Sequence, residues 1–319
     1  MQKIVWALKK YSIIFVLLGL VALFSIMNPL FFTRQNLANL LSQSTYFIIT
    51  TVGLSYILIA GAIDLSVGYQ LSLTGVIVAM LMVNYEVPVF AAVLIGLLLG
   101  CCLGLFNGLI VTRLKINPII ATLATTTVFQ GASYLISSAK TIRKFPASFA
   151  WLSKGNIIGL PPDVWLTLII LAVTSFIYNK TYFGRHIFAM GGNEDAARLA
   201  GIRTRGLRLA LFGICGFLVA VASLDMISKA NATNSTFGVG TEFTCLTAAI
   251  VGGISITGGD GTIWGLLTGV FILQVLQNGM QLAGWGTYAQ YIVKGIILLA
   301  AVAFDEFQKN RTGGPKNPS

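Results

Sequence analysis

The chain has 319 residues, of which 56% are apolar and only 10% carry a charge, and its formal net charge is +11. A soluble domain of this length carries roughly 25% charged residues, so the composition excludes an ordinary soluble protein and indicates a membrane protein. The positive charge does not indicate nucleic-acid binding, because the basic residues are spread over segments that flank apolar stretches.

The apolar stretches predict ten membrane helices, some of them short and interrupted by glycine. About 20 apolar residues cross the hydrocarbon core as a helix. The longest polar connections, 139–162 and 181–207, are too short to form a core of their own, so we expect residues 1–319 to form one all-α polytopic membrane domain. The predicted spans are 12–32, 40–60, 66–84, 88–112, 117–138, 163–180, 208–228, 243–257, 262–283 and 287–304.

The basic residues also predict an orientation. Most of the 21 lysine and arginine residues fall in cytoplasmic segments if the N-terminus is cytoplasmic, as the positive-inside rule requires. The first span follows Lys3, Lys9 and Lys10, and no small-residue cleavage pattern precedes Asn28, which predicts an uncleaved helix. We therefore expect both termini in the cytoplasm, including a C-terminal tail at 305–319.

The segment GAIDLSVGYQLS, residues 61–72, places Asp64 between two apolar spans, with Gly61 and Gly68 on either side. A charge at the centre of a membrane helix costs about 2.5 to 3.5 kcal/mol on insertion scales, so this carboxylate needs compensation. The glycines allow the backbone to break, and the acid fits the N-cap of the next helix. Asp64 is either a structural cap or a gate or ligand contact where helix ends meet a water-filled path.

Proton coupling is not indicated, because it normally needs several titratable groups in one membrane path. The one histidine, His186, lies in a predicted cytoplasmic loop. The other titratable candidates are Asp64, Asp225, Asp260 and Lys294. Amide side chains are better supplied, and they are typical either of hydrogen bonds between helices or of a path for a neutral, hydroxylated solute. Those that share one helix face by their spacing are Gln274, Gln277, Asn278 and Gln281.

The connection 139–162 carries aromatic side chains beside basic ones and is predicted to lie outside the cell. Phe145, Phe149 and Trp151 are its aromatic residues after the fifth span. Such a segment is either an interfacial belt that anchors the neighbouring helices or a docking surface for an external protein.

The connection 181–207 contains a predicted short helix of about two turns. Asn193 can cap it, alanines and Leu199 propagate it, and Gly201 can end it. A helix this short is marginal alone in water, so its own membrane domain or a partner must hold it. No Gly-Lys-Ser/Thr follows the glycines, which excludes a nucleotide-binding loop of that type.

A faint internal repeat relates residues 44–68 to residues 240–265. Both segments end in a glycine-rich break that contains an acid, Asp64 in the first and Asp260 in the second. Interrupted helices at corresponding places of two halves indicate the substrate path of a transporter. The spans alone leave open whether the halves are inverted.

Four segments of the chain carry a family resemblance, and they are GAIDLSVG at 61–68, GLFNGLIVTRLKINPIIATLAT at 104–125, GRHIFAMGGNEDAARLAGI at 184–202 and LTAAIVGGISITGGDGTIWGLLTG at 246–269. Together they resemble the membrane-spanning permease of ribose-type ABC sugar importers, the carbohydrate uptake transporter 2 family. The likeness runs in the family's order through nearly the whole chain up to Asp305. One departure is Asn117-Pro118-Ile119, where the family often has Pro-Pro or Pro-Phe, so ribose, xylose, galactose and a sugar-derived signal all remain open.

The resemblance implies a type II importer fold with an inverted repeat and broken helices, in which two permease copies form the pathway. It implies an external sugar-binding protein and a separate ATPase that hydrolyses ATP, so that this chain binds no cofactor itself. It also implies an inner-membrane location and a coupling helix that inserts into the ATPase. The expected coupling residues are Asn193, Glu194, Asp195, Ala196, Ala197, Arg198, Ala200 and Gly201, and the expected gate and pathway residues are Asp64, Ser66, Gly68, Asn107, Asp260 and Asn278.

Other functions remain as alternatives. The neighbouring branched-chain amino-acid importer permeases share this architecture, and an ATP-independent channel or carrier would move solute without nucleotide. An integral-membrane enzyme would need a reactive cluster, and one histidine, scattered acids and unpaired cysteines provide none. We therefore expect neither catalytic residues nor a metal site.

Overall fold

The computed structural model describes the backbone of residues 2–312 and the side chains of residues 13–307. The predictions that rest on Lys3, Lys9 and Lys10, and on the tail beyond residue 307, lie outside the described side chains. The elements are α1 (Gln2–Met27), α2 (Arg34–Ile59), α3 (Val67–Val83), α4 (Val89–Arg113), α5 (Pro118–Ser137), β1 (Ile142–Arg143), α6 (Ala147–Lys154), α7 (Pro162–Lys180), α8 (Tyr182–Gly192), α9 (Glu194–Leu199), α10 (Thr204–Ala230), β2 (Ala232–Thr233), α11 (Thr241–Val251), α12 (Ile263–Leu282) and α13 (Thr287–Thr312).

Each of the ten predicted spans contains a helix. Seven helices, α2, α4, α5, α7, α10, α12 and α13, are long and apolar enough to cross a membrane. The remaining three spans hold shorter apolar helices, at Ile13–Met27 in α1 and in α3 and α11. The prediction of an all-α polytopic membrane protein is confirmed.

Helices α2 and α10 form the centre of the bundle and run antiparallel. Near the start of α2, Thr45 bonds to Asp225 late in α10, whereas Gly53 later in α2 lies against Cys215 early in α10. Glycines also let α4 approach α10 closely, since a Cβ placed at Gly104 would overlap the carbonyl oxygen of Phe212. Small residues at such contacts are typical of helix packing in membranes.

The packing around this pair has an inverted arrangement. Helix α10 packs against α3 and α4, while α2 packs against α11 and α12. The contacts of α2 with α11 and α12 therefore correspond to those of α10 with α3 and α4, so α2–α4 and α10–α12 form two structural repeats. Because α2 and α10 run antiparallel, one repeat is inverted relative to the other.

The repeat read from the sequence, which pairs 44–68 with 240–265, is wrong. It equates α2, a helix of 26 residues, with α11, a helix of 11 residues. The inverted arrangement instead pairs the break after α2 with the connection 231–240 after α10. The two acids do not mark equivalent positions of a repeat, because Asp64 is 1% exposed, whereas Asp260 is exposed to solvent.

The connection between α5 and α7 is folded onto the end of the bundle where α10 finishes. Strand β1 pairs antiparallel with β2, and Ser153 bonds to Ser228 of α10. Phe145 and Phe149 are buried and pack edge to face, with ring centroids 5.7 Å apart, whereas Trp151 is exposed. Two of the three aromatic residues are therefore core residues and do not form an interfacial belt.

Candidate functional site

Asp64 is buried at the break between α2 and α3 and is surrounded by hydrogen-bond donors. Its Oδ1 accepts from the backbone N–H of Ser66 at 2.8 Å and from the Ser66 hydroxyl at 2.6 Å. Its Oδ2 accepts from Gln70 Nε2 at 3.3 Å and from Asn107 Nδ2 at 3.4 Å. Both amides also donate to Ser66 Oγ at 2.7 Å. Within the described residues, neutral dipoles rather than a cation compensate this charge; we call Asp64, Ser66, Gln70 and Asn107 the Asp64 cluster.

The sequence suggested that Asp64 is the N-cap residue of α3, and the structure shows that it is not. The N-cap is Ser66, whose side chain makes no capping hydrogen bond. Asp64 lies two residues earlier and accepts one backbone N–H, that of Ser66. The carboxylate therefore orders the turn that leads into the helix.

The Asp64 cluster is fastened to the beginning of α5 as well as to α4. The backbone N–H of Leu65 donates to Thr122 Oγ1, and Thr126 Oγ1 donates to the carbonyl of Leu65, both at 3.2 Å. Asn117 caps α5 by accepting the N–H of Ile119 at 2.9 Å. The break after α2 is thus fixed by two helices that are distant in sequence, α4 and α5.

Three glycine segments meet beside this break. The N–H of Gly259, in the break before α12, donates to the carbonyl of Ile59 at 2.8 Å. A Cβ placed at Gly191, near the end of α8, would overlap that same carbonyl oxygen, and one placed at Gly258 would lie 2.7 Å from the nitrogen of Gly61. We call Gly61, Gly191, Gly258 and Gly259 the glycine junction. It brings both breaks against the segment that leads into α9.

Asp260 lies next to the glycine junction but outside the buried network. It is exposed, and its Oδ1 accepts from the N–H of the adjacent Gly261. Asp260 does not cap a helix, because Thr262 is the N-cap of α12 and accepts from the N–H of Gly265. The Thr262 hydroxyl directly precedes the helix and caps it, whereas Asp260 lies two residues earlier.

The predicted short helix is present as α9, with the predicted ends. Asn193 Oδ1 accepts from the N–H of Ala196 at 2.9 Å, and Gly201 follows the helix with φ +87°. Ala197 is only 4% exposed and faces the protein's own membrane domain. Leu199 is 87% exposed, so it forms the outward tip of this helix. From the sequence we expected Leu199 only to propagate the helix, and the structure shows in addition that its side chain is exposed.

An ion pair fixes α9 to the membrane domain. Arg208 of α10 lies 2.7 Å from Glu194 at the start of α9, and both side chains are partly buried. Arg198 and Asp195 form a second pair at 2.8 Å that is largely exposed. Only the first pair joins two helices, so it orients α9 relative to α10.

The remaining pathway candidates lie in helix contacts. Asn278 of α12 exchanges two hydrogen bonds of 2.9 Å with Asn36 of α2. Gly68 leaves room for Glu242 of α11, whose carboxylate a Cβ at that position would overlap. Neither residue joins the Asp64 cluster. The four titratable candidates for a proton path are likewise not brought into one group.

A buried charge cluster near the other end of the bundle was missed by sequence reasoning. Lys229 Nζ lies 2.9 Å from Asp163 Oδ2 and 2.7 Å from Asp225 Oδ1, and both acids are fully buried. Thr45 of α2 also bonds to Asp225. Asp225 and Lys229 are four residues apart on one helix face, which was the available signal, whereas Asp163 comes from α7.

The comparison with protein families identifies the architecture. The family described as "Branched-chain amino acid transport system / permease component" matches residues 36–302. The chain belongs to this permease family. The permease is 36% identical over 295 residues to the ribose import permease of Haemophilus influenzae, covering 91% of each chain.

Two further relatives cover most of the permease. The ribose import permease of Bacillus subtilis is 34% identical over 288 residues, which is 90% of this chain and 89% of the relative. The L-arabinose transport system permease of Escherichia coli is 35% identical over 257 residues, or 81% and 78% of the two chains. No solved structure matches.

Membership in this family fixes the general role of the chain. It is the multi-pass membrane subunit of a bacterial inner-membrane ABC importer and works with an ATPase and a solute-binding protein. It is a transporter subunit.

Proposed function

We propose that the permease translocates a sugar or a sugar-derived signal across the bacterial inner membrane, driven by ATP hydrolysis in a separate subunit. The relatives named above, two for ribose and one for L-arabinose, support a sugar as the solute. Ribose, xylose and galactose are the first solutes to test. In this proposal the permease itself binds no cofactor, because the ATPase subunit hydrolyses the ATP.

The coupling mechanism rests on one observation, the glycine junction. Helix α9 follows α8 directly, and Gly191 at the end of α8 lies against the carbonyl of Ile59 and against Gly259. A displacement of α9 by the ATPase would therefore move the breaks after α2 and before α12 together. Close backbone packing transmits such a shift because it leaves no space to absorb it.

In this proposal α9 is the coupling helix and Leu199 its main contact with the ATPase. Leu199 is the exposed apolar side chain of this short helix and points away from the membrane domain, so it is the first contact to test. Asn193 and Gly201 set the ends of the helix, and the Glu194–Arg208 pair orients it. The alanines and the exposed Arg198–Asp195 pair form the rest of the contact surface, apart from buried Ala197.

The Asp64 cluster is proposed as the inner gate. Amide and hydroxyl groups can exchange their mutual hydrogen bonds for bonds to water at small net cost, so such a cluster can open without isolating a charge. Ser66 and Asn107 hold the carboxylate when the gate is closed, and Gly68 allows the neighbouring Glu242 to approach. Asp260 then lines the mouth of the gate beside the glycine junction.

Two copies of the chain are proposed to form the complete pathway as a homodimer embedded in membrane lipid, with both termini in the cytoplasm. The breaks lie at the same end of the bundle as α9, which agrees with a cytoplasmic location for both. The resemblance to ribose-type importers supports the second copy.

Uptake into proteoliposomes tests the proposal. The permease, its ATPase and its binding protein would be reconstituted together, and labelled ribose, xylose, galactose, L-arabinose and leucine would be added outside. ATP-dependent uptake of a sugar that needs all three components is the expected result. Uptake of leucine instead would favour the amino-acid function in the family's description. Solute flux through the permease without nucleotide would show a channel or an independent carrier.

A further inference from the structure

A cavity of about 540 Å³ lies between α2, α11, α12 and α13. Its position is at the end of the bundle opposite the glycine junction, because it includes the first residues of α11 and α13 and a residue near the end of α12. This volume is in the range of pockets that hold small molecules. Its main polar and aromatic side chains are Tyr46, Thr244, Gln277, Gln281, Tyr291 and Lys294.

Lys294 gives the cavity an unusual charge. Its Nζ donates to Gln277 Oε1 at 2.8 Å, and the side chain is partly buried. No carboxylate lines the cavity, and no ion pair of Lys294 is found among the side chains of residues 13–307. An ammonium group has three donors, so the described contacts leave it able to bind further oxygen atoms.

The other groups complete a surface that suits hydroxyl groups. The Gln277 amide nitrogen and the Gln281 amide extend the row of polar atoms, and the Tyr46 and Tyr291 rings supply flat apolar walls. A sugar presents hydroxyl oxygens at its rim and C–H groups on its faces, which match donors and aromatic rings respectively.

We propose that this cavity is a binding station for a polyhydroxylated solute in the outer half of the permease, with Lys294 and Gln277 donating to its hydroxyl groups. The inference rests on the proposed sugar import and locates where the solute is held before it reaches the Asp64 cluster. A free amino acid could place its carboxylate on Lys294, but the lining offers no carboxylate for its ammonium group.

Binding can be tested by protection of a thiol in the reconstituted transporter. Tyr291→Cys places a thiol on the cavity wall, and Tyr288→Cys, on the same helix but not lining the cavity, is the matched control. Both would be made with Cys101→Ser and Cys102→Ser, since the other two cysteines are buried. Labelling by a maleimide would be followed with and without D-ribose, L-arabinose and leucine.

The expected result is that a sugar slows labelling at Tyr291→Cys and not at Tyr288→Cys, and that Gln277→Leu abolishes this protection. Lys294→Met and Gln277→Leu should each reduce ATP-dependent uptake of that sugar at least about tenfold, since bonds from a charged donor or its partner are lost. Lys180→Met and Gln35→Leu, two exposed positions away from the cavity, should leave uptake within about twofold of wild type.

Failure of the cavity assignment can be distinguished from failure of the proposed sugar import. A transporter that imports a sugar normally but shows equal labelling with and without it would overturn the cavity assignment alone. A wild-type transporter that imports no sugar would overturn the proposed function and with it the sugar class. Protection by leucine alone would also overturn that class.

Discussion

Ile59 and Gly259 are joined by a backbone hydrogen bond of 2.8 Å, although 200 residues of sequence separate them. Ile59 is the last residue of α2, and Gly259 lies in the break before α12. Gly191 lies against both, three residues before the proposed coupling helix α9. In the proposed mechanism, this contact links the two halves of the permease at the place where force from the ATPase would enter.

Gly191→Ala should disrupt this contact. Its methyl group would overlap the Ile59 carbonyl oxygen and lie 2.5 Å from the Gly259 nitrogen, so backbone must shift. We expect uptake to fall at least about tenfold and the melting temperature in detergent to decrease. Gly192→Ala is the matched control, since nothing lies within 4 Å of its added methyl group. Equal uptake by the two variants would contradict the role of the glycine junction.

Leu199→Asp should uncouple the ATPase from transport. The side chain is 87% exposed, so the substitution leaves the fold intact while placing a charge on the proposed docking surface. We expect loss of ATPase co-purification and at least a tenfold loss of uptake. Leu114→Asp, at an exposed leucine that follows α4, should retain both activities.

Substitution of Ala197 should affect stability as well as transport, unlike substitution of Leu199. Because Ala197 is 4% exposed and faces the membrane domain, a bulky charged residue there should lower expression and melting temperature as well as transport. If Ala197 were an exposed coupling residue, such a variant would remain folded and lose only its coupling to the ATPase. Normal stability of Ala197→Glu would show that α9 can detach from the domain.

Asp64→Ala should destabilise the permease by about 2 to 4 kcal/mol, because the buried N–H and hydroxyl of Ser66 lose their acceptor and the amides of Gln70 and Asn107 each lose one of two hydrogen bonds. Asp64→Asn should recover part of this loss, since its carbonyl can still accept from Ser66. Thermal unfolding in detergent measures both. Asp260→Ala removes an exposed acid and should change stability by less than about 0.5 kcal/mol.

Lys229→Met should be among the most destabilising single changes in the permease. It would leave Asp163 and Asp225 buried without their cation, a change that typically costs about 3 to 5 kcal/mol. Adding Asp163→Asn and Asp225→Asn should restore much of the stability. Failure of the triple variant to recover, measured by thermal unfolding, would show that the cluster contributes through packing rather than charge.

The sequence by itself determined the class of protein, the ten helical spans and the ends of α9. These depend on composition, on apolar runs and on capping residues such as Asn193 and Gly201, which act over a few neighbouring positions. The four family-like segments also led to the correct family before any contact was known.

Only the tertiary structure decided which residues of those segments act together. Asp64 and Asp260 look alike in sequence, yet one is enclosed by α4 and α5 and the other is exposed. Ala197 and Leu199 belong to one short helix, yet the first is buried and the second is exposed. Asp163 of α7 pairs with Lys229 of α10, which is 66 residues away in the sequence. Burial and hydrogen-bond partners are set by helices that are remote in the chain, so they cannot be predicted from local sequence patterns.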